Sequence, residues 1–324
     1  MDESFRVIIV GGGLIGLLAA HILAKANIDF VLLEQRNNLF PEQSASIRVY
    51  PHTVRVFDQL GLLESPQKMR SPLARKLVMT HSGYVFRGHP RFTWMRVNHS
   101  HPFAMVNRTN LLRCLYNNFR DGLRESVYGD KQVFDVQVRD DTCKVQCSDG
   151  TIERGSIIIG ADGITSTVRQ EMRRPERPLL PLATNERPFT ASFTLPYCSV
   201  PVLPGMSVGT SWEAHGTGKS TSLFVGKERA WLFGYEKRDP SNHPSLSTAY
   251  FKKEDEARFV DKWADVHLTT SLRLKSAYEA RQSSGMTLAN EGTVEHRSWK
   301  PIVLVGDSAA KVTPNLGFGF DGGV

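Results

Sequence analysis

Four apolar residues, 7–10, run directly into Gly11-Gly12-Gly13-Leu14-Ile15-Gly16, and this junction constrains the fold more than any other feature of the chain. An unbroken apolar run of strand length belongs in a parallel sheet covered by helices on both faces. Leu14, Leu17, Leu18, His21 and Ile22 then recur near helical spacing, and Asp29-Phe30-Val31-Leu32-Leu33-Glu34 makes a second strand that ends in an acid. Residues 5–34 thus spell a strand, a glycine turn, a helix and a strand. Gly11 permits the tight turn, Gly13 leaves room for a pyrophosphate, and Gly16 lets the helix pack closely. The helix amino terminus supplies free N–H groups and a favourable dipole. Glu34 stands eighteen positions after Gly16, where a carboxylate accepts protons from both hydroxyls of an adenosine ribose. The segment predicts a cradle for the adenosine diphosphate end of a dinucleotide, with FAD and NAD both open. Glu34 repels a ribose 2'-phosphate, which disfavours NADP here, although neighbouring Arg36 weakens that exclusion. Arg36 itself reads either as an adenine or ribose contact or as a surface charge.

Composition narrows the partners. A net charge of +7 suits a phosphate-bearing cofactor as well as a polyanion, and the lysines and arginines are dispersed and often neighbour acids, so no nucleic-acid partner is expected. The four cysteines are scattered; Cys143 and Cys147 share a strand face but stand too far apart for one tetrahedral site, so no metal is expected. Residues 7–26 are broken by four glycines and carry His21 and Lys25, which predicts a buried strand and packed helix rather than a transmembrane segment. The polar start offers no secretory leader. A cytoplasmic protein is expected, with peripheral membrane contact left open and the oligomeric state undetermined.

Further along, the pattern predicts a helix over 51–63, opened by Pro51 and stopped by Gly61, a hairpin over 77–87 turned at Ser82-Gly83, and a helix over 108–119. A strand pair over 133–147 turns at Asp140-Asp141. A strand at 157–159 leads to a helix near 166–172, and a fourth apolar strand spans 302–305. Between them a proline-rich passage, 175–204, holds a strand at 191–195, followed by a strand region at 223–233 and a helix around 254–265. This middle portion has an antiparallel character. An α/β fold with two intertwined units follows: 1–75, 100–185 and 286–324 form the nucleotide-binding unit, and 76–99 with 186–285 form a substrate unit.

Two later strand ends repeat the glycine-acid theme. Gly160-Ala161-Asp162-Gly163 precedes Ser166-Thr167-Val168-Arg169, so Asp162 reads as a cofactor-crevice residue or as an ion-pair partner of Arg169. Asp307, in Gly306-Asp307-Ser308, reads as an acceptor for a polyol or ribose hydroxyl, or as a helix cap. Pro314, Gly317 and Gly319 lie in a loop where the backbone can approach a planar ligand. Arg48, just before the Pro51 helix, reads as a cleft residue or a local ion pair. His21 reads as a packing or surface imidazole of the first helix, His215 as a loop residue or a substrate contact, and no motif supports a protein nucleophile.

Taken together, these blocks resemble the class A FAD-dependent, or aromatic hydroxylase-like, monooxygenase family. The resemblance rests on Gly11-x-Gly13-x-x-Gly16 with Glu34, on Gly160-Ala161-Asp162-Gly163-x-x-Ser166-x-x-Arg169, and on Gly306-Asp307 with Pro314, Gly317 and Gly319. Residues 46–51 and 308–315 are similar to the fungal branch that oxidises prenylated or terpene-linked secondary metabolites. The resemblance implies a Rossmann-like FAD-binding domain with an intertwined, mainly antiparallel substrate domain. It also implies noncovalent FAD, with Gly11, Gly13 and Gly16 at the pyrophosphate, Glu34 at the ribose and Arg108 near the pyrophosphate or ribityl chain. Asp307 would bond the ribityl chain, residues 314–319 would approach the isoalloxazine, and Asp162 would serve cofactor and pyridine-nucleotide contacts.

NADPH or NADH would be the reductant and O2 the co-substrate, with hydroxylation or epoxidation of a small molecule through a flavin C4a-hydroperoxide. The chain departs from the family's usual residues at Ala310, where relatives carry histidine, and at Phe318, where they carry glutamine. It stops at Val324, before the long helix expected to flank the flavin, so a shortened carboxyl terminus is expected. A FAD-binding protein without catalysis, and a flavin oxidase or dehydrogenase, are the alternatives.

Overall fold

The computed structural model describes residues 5–41, 46–64, 70–139, 142–173, 188–239, 251–313, 317 and 319–324. Its first strand, Arg6–Val10, lies at the centre of a six-stranded sheet because neither face of an all-apolar run tolerates water. Asp29–Leu33 and Ile157–Gly160 flank it in parallel, with Val10 opposite Leu33 on one side and Gly160 on the other. Ile302–Leu304 adds beyond Ile157–Gly160, and the short strand Val127–Tyr128 adds beyond Asp29–Leu33, both in parallel. The carboxyl ends of these strands therefore finish along one edge, where open α/β sheets collect ligands.

Helices cover one face: Leu14–Lys25, Pro51–Gln59 and Arg108–Asn117 bury Leu17, Val54, Phe57, Leu111 and Leu115 against Val7, Ile9 and Leu32. The Pro51 helix stops earlier than expected, because Gly61 adopts φ +72° and the chain turns back to bury Leu62. Ile8, Val10 and Leu304 face the other way, onto the meander Val133–Arg139, Thr142–Cys147 and Ile152–Gly155 and the helix Thr167–Met172. The expected turn at Asp140-Asp141 lies outside the described residues. His21 packs as expected: its ring stacks on Phe119 at 4.1 Å, and Nε2 is 2.8 Å from the Leu115 carbonyl. All four cysteines are buried, and burial pushes the thiols of Cys114 and Cys143 up to about 11 and that of Cys198 to about 12.

A second, eight-stranded sheet runs, in order, Ala310–Lys311, Ser283–Thr293, Phe189–Pro201, Arg229–Lys237, Lys219–Val225, Thr210–Gly216, Arg75–Thr80 and Val85–His89. Its neighbours are antiparallel except Thr210–Gly216 beside Arg75–Thr80. Three expectations are refined or corrected here. The strand expected at 191–195 is thirteen residues long and continues through Pro196 to Pro201. The strand region expected at 223–233 resolves into two strands of a hairpin. His215 sits on a strand rather than in a loop, 3.6 Å from Glu213. One sheet face rests on the helices Lys253–Lys262 and Leu274–Glu279 around Trp263. The opposite face, carrying Phe224, Trp231, Phe233 and Tyr235, packs with Tyr50, Phe103 and Met105 toward the six-stranded sheet.

Candidate functional site

Glycine geometry at the first strand end explains why this cleft exists. Gly11 has φ +108°, and a Cβ there would lie 2.5 Å from the Ala161 carbonyl oxygen. At Gly16 an added Cβ would stand 1.9 Å from the Gly11 carbonyl oxygen, so helix and turn touch backbone to backbone. Gly13 is the opposite case. It caps the helix Leu14–Lys25 without a side-chain bond, and a Cβ placed on it meets nothing within 4 Å. An uncapped helix amino terminus thus opens on free space, which fits a pyrophosphate whose oxygens accept the helix N–H groups.

That space is a cleft of about 370 Å³, with Glu34, Arg36, Arg108, Lys131, Asp162 and Thr165 among its lining residues beside Gly11 and Gly13. Glu34 accepts the Gly12 N–H at 2.7 Å and the Arg36 N–H at 3.0 Å, which holds its carboxylate at the cleft wall. Each oxygen keeps a further lone pair for a ligand hydroxyl. Arg108 opens the helix Arg108–Asn117, whose cap is Asn107, its Oδ1 accepting the Asn110 N–H at 3.0 Å. Burial holds the Arg108 guanidinium below its ordinary pKa, and Arg36 adds to that, while Asp307 and Glu34 oppose it. A desolvated cation among these charges suits an anionic ligand group.

Asp162 does not pair with Arg169. It accepts from Ser166 Oγ at 2.5 Å and from the Val168 N–H at 3.1 Å, fastening the start of the helix Thr167–Met172 while still lining the cleft. Burial raises its pKa against these hydrogen bonds. Arg169 turns instead toward the fourth strand end, donating to the Ser308 carbonyl at 2.8 Å and to the Ile164 carbonyl, with Phe189 under its guanidinium at 5.1 Å. Ser308 Oγ in turn donates to the Gly160 carbonyl at 2.5 Å, tying the two glycine-acid turns together. Asp307 is ion-paired with Lys311, four residues on, and neither lines this cleft.

Arg48 ties a small three-stranded sheet to the eight-stranded one. It lies on Ser46–Val49, which pairs with Ala104–Asn107, and its guanidinium sits 4.7 Å from the Phe224 ring centre and 5.9 Å from that of Phe233. Its Nη2 donates to Tyr235 Oη at 3.1 Å. On the other side it packs against Gly317, where a Cβ would come within 2.3 Å of Arg48 Cδ. Gly317 has φ +73°, Gly319 is exposed with open space beside it, and Pro314 lies outside the described residues. Thr167 also lines the cleft, as do Lys131, Gln132 and Thr165, which the sequence alone does not single out. Lys131 carries no motif, since it reaches the cleft only because Val127–Tyr128 pairs with Asp29–Leu33.

Comparison with known proteins agrees with this architecture. The family model described as "FAD binding domain" matches residues 4–179. FAD-dependent monooxygenase ausM of Penicillium brasilianum is 31% identical over 323 residues, 98% of this chain and 67% of that protein. FAD-dependent monooxygenase prhF of the same organism is 30% identical, with the same two coverages. Among solved structures, Klebsiella pneumoniae HpxO complexed with FAD and uric acid matches with a TM-score of 0.80 at 20% identity, covering 98% of this chain and 77% of that one. The p-nitrophenol 4-monooxygenase PnpA of Pseudomonas putida DLL-E4 matches at 0.76 and 18% identity, covering 100% and 77%. The chain belongs to the class A FAD-dependent monooxygenase family, alongside fungal enzymes of secondary metabolism, and its cofactor is FAD. No helix among the described residues is long and apolar enough to cross a membrane.

Proposed function

We propose that this flavoprotein uses NADPH, or NADH in its place, and O2 to hydroxylate or epoxidise a prenylated aromatic or terpene-linked metabolite in the cytoplasm. The observation that carries the reading is Arg48. It bridges the loop at Gly317 to an apolar aromatic wall, Phe224, Phe233 and Tyr235, so a ring with an apolar tail would lie beside one fixed cation. Bound FAD supplies the redox chemistry that activates O2 for transfer of one oxygen atom.

The protein groups bind and orient. The N–H groups after Gly11 and Gly13 hold the pyrophosphate, with Gly16 keeping the helix close enough to do so. Glu34 accepts from the ribose hydroxyls, Arg36 flanks the adenosine, and Arg108 offers its guanidinium to the phosphates. Asp307 accepts from the ribityl chain, held in position by Lys311, and the backbone of residues 314–319 borders the flavin ring. Asp162 fixes the turn beside the pyrophosphate and contacts the nucleotide. The aromatic wall excludes water from the reacting atoms, and Arg48 orients an oxygen function of the substrate. Residues 1–75, 100–185 and 286–324 serve the cofactor, and 76–99 with 186–285 serve the substrate, the strand Ser283–Thr293 spanning that division.

The test supplies FAD, NADPH and a panel of prenylated aromatic and terpene-linked compounds under labelled O2. Incorporation of one labelled atom into a product is expected. NADPH consumption that yields only peroxide across the panel counts against this substrate class, and failure to bind FAD defeats the reading altogether.

A further inference from the structure

Acids are spread along most of this sequence, yet residues 65–120 contain none of the chain's 33 aspartates and glutamates while carrying ten lysines and arginines. Part of this segment forms an outer flank of the molecule. Val85–His89 is the last strand of the eight-stranded sheet, with one edge unpaired among the described residues, and the helix Arg91–His99 follows it directly. His89 and Trp94 lock the two together, ring against ring at 4.7 Å. Phe92 turns inward and stacks on Phe103 at 4.5 Å, in the aromatic cluster that also contains Phe224 and Phe233.

The rest of this flank is exposed in an unusual way. Trp94 is 53% exposed and Val97 71%, three residues apart on one helix face, and Tyr84 and Phe86 on the adjoining hairpin are 69% and 55% exposed. Arg87, Arg91 and Arg96 are exposed among them. On elements packed beside it, Glu213 is paired with Lys76 at 2.6 Å, and Asp58 lies on the helix Pro51–Gln59. Large apolar side chains without burial, interleaved with cations without counter-charges of their own segment, complement a surface that is anionic outside and apolar beneath.

We propose that Val85–His89 and Arg91–His99 dock this protein on an anionic phospholipid bilayer. Trp94 and Val97 enter the boundary between headgroups and acyl chains, and Arg87, Arg91 and Arg96 meet lipid phosphates. Because Phe92 belongs to the aromatic wall, docking brings the substrate side of the fold to the membrane, where an apolar metabolite concentrates.

The experiment is flotation of the FAD-loaded protein with phosphatidylcholine vesicles containing about 30 mol% phosphatidylserine, against pure phosphatidylcholine. Binding to the anionic vesicles alone, weakened by high salt, is expected. W94S/V97S should lower the partition coefficient at least about tenfold, and R87Q/R91Q/R96Q by roughly fivefold per cation removed. Flavin absorbance and NADPH oxidation without vesicles should stay unchanged in both variants, which separates failure of this proposal from failure of the flavoenzyme reading. Unchanged vesicle binding by both variants would overturn it, as would no binding by the wild type. So would binding to duplex DNA in place of vesicles, or a W94S/V97S protein whose only change is dissociation of a dimer.

Discussion

The two large sheets of this molecule are built on opposite uses of the side chain. At the edge of the six-stranded sheet backbone packs on backbone: a Cβ at Gly11 or Gly16 would strike a carbonyl oxygen, and Gly13 leaves open space. The eight-stranded sheet carries bulk instead, with Phe224, Trp231, Phe233 and Tyr235 buried in one aromatic cluster. A pyrophosphate asks for N–H groups at short range, which any side chain would obstruct, whereas an apolar substrate asks for area. The cradle should therefore fail when one methyl group is added, and the wall should tolerate exchange of one hydrophobe for another.

Gly16→Val is the largest effect expected. Its Cβ would enter the space of the Gly11 carbonyl oxygen at 1.9 Å, with backbone rather than a pliable side chain as the obstacle. A cost of about 3 kcal/mol and loss of retained FAD on purification should follow. Leu195→Met, in the aromatic cluster, should cost less than about 1.5 kcal/mol and leave the protein yellow. Equal outcomes for the two would erase the contrast between the sheets. Glu34→Ala comes next: it removes the acceptor for the Gly12 and Arg36 N–H groups and for the ribose, and a Kd for FAD raised roughly 10- to 100-fold should appear in a flavin-fluorescence titration. Arg48→Met should spare FAD affinity but lower kcat/KM for the oxygenated product about tenfold, with more NADPH diverted to peroxide. Rescue by Arg48→Lys would show that charge, rather than the fork of hydrogen bonds, does the orienting.

The same contrast explains what the sequence disclosed. The strand, glycine turn and helix of residues 6–25 are local, and their period and glycine spacing stand within one stretch of chain, so the observed ends differ from the reading by about a residue. The eight-stranded sheet draws neighbours from distant places. Phe189–Pro201 was foreshortened because prolines read as breakers, yet pairing with Ser283–Thr293 and Arg229–Lys237 carries the strand through Pro196, past a bulge between Ala191 and Phe193. Ser283–Thr293 itself is polar and glycine-bearing, and only its partner makes it a strand. Glu34, Arg36, Arg108 and Asp162 were legible as separate candidates and do line one cleft, but the packing of Arg48 on Gly317 joins residues 269 positions apart and has no local signature.

The smallest effect tests the seam between the two regions. Asp321 is buried beside the Pro51 helix: its Oδ1 accepts the Tyr50 N–H at 2.8 Å and the Thr53 hydroxyl at 2.5 Å, while Oδ2 has no partner among the described residues. Burial raises its pKa, with Thr53, Tyr50 and the His52 ring 4.0 Å away opposing the rise. A carboxyl whose folded pKa lies above its unfolded value contributes stability while protonated, and that contribution is lost as pH climbs through the raised value. Asparagine keeps the Oδ1 acceptor and carries no charge at any pH. Asp321→Asn should therefore raise the stability of the protein by about 1 kcal/mol at neutral pH, seen as a Tm higher by roughly 2–4 °C. The gain should shrink as pH falls through the raised folded value and vanish below the ordinary carboxylate value of 3.8, where wild-type Asp321 is protonated in both states. A variant less stable than wild type at neutral pH would mean that the negative charge itself holds the Pro51 helix, through His52 or the helix amino terminus, and that the seam is electrostatic rather than a matter of hydrogen-bond acceptors.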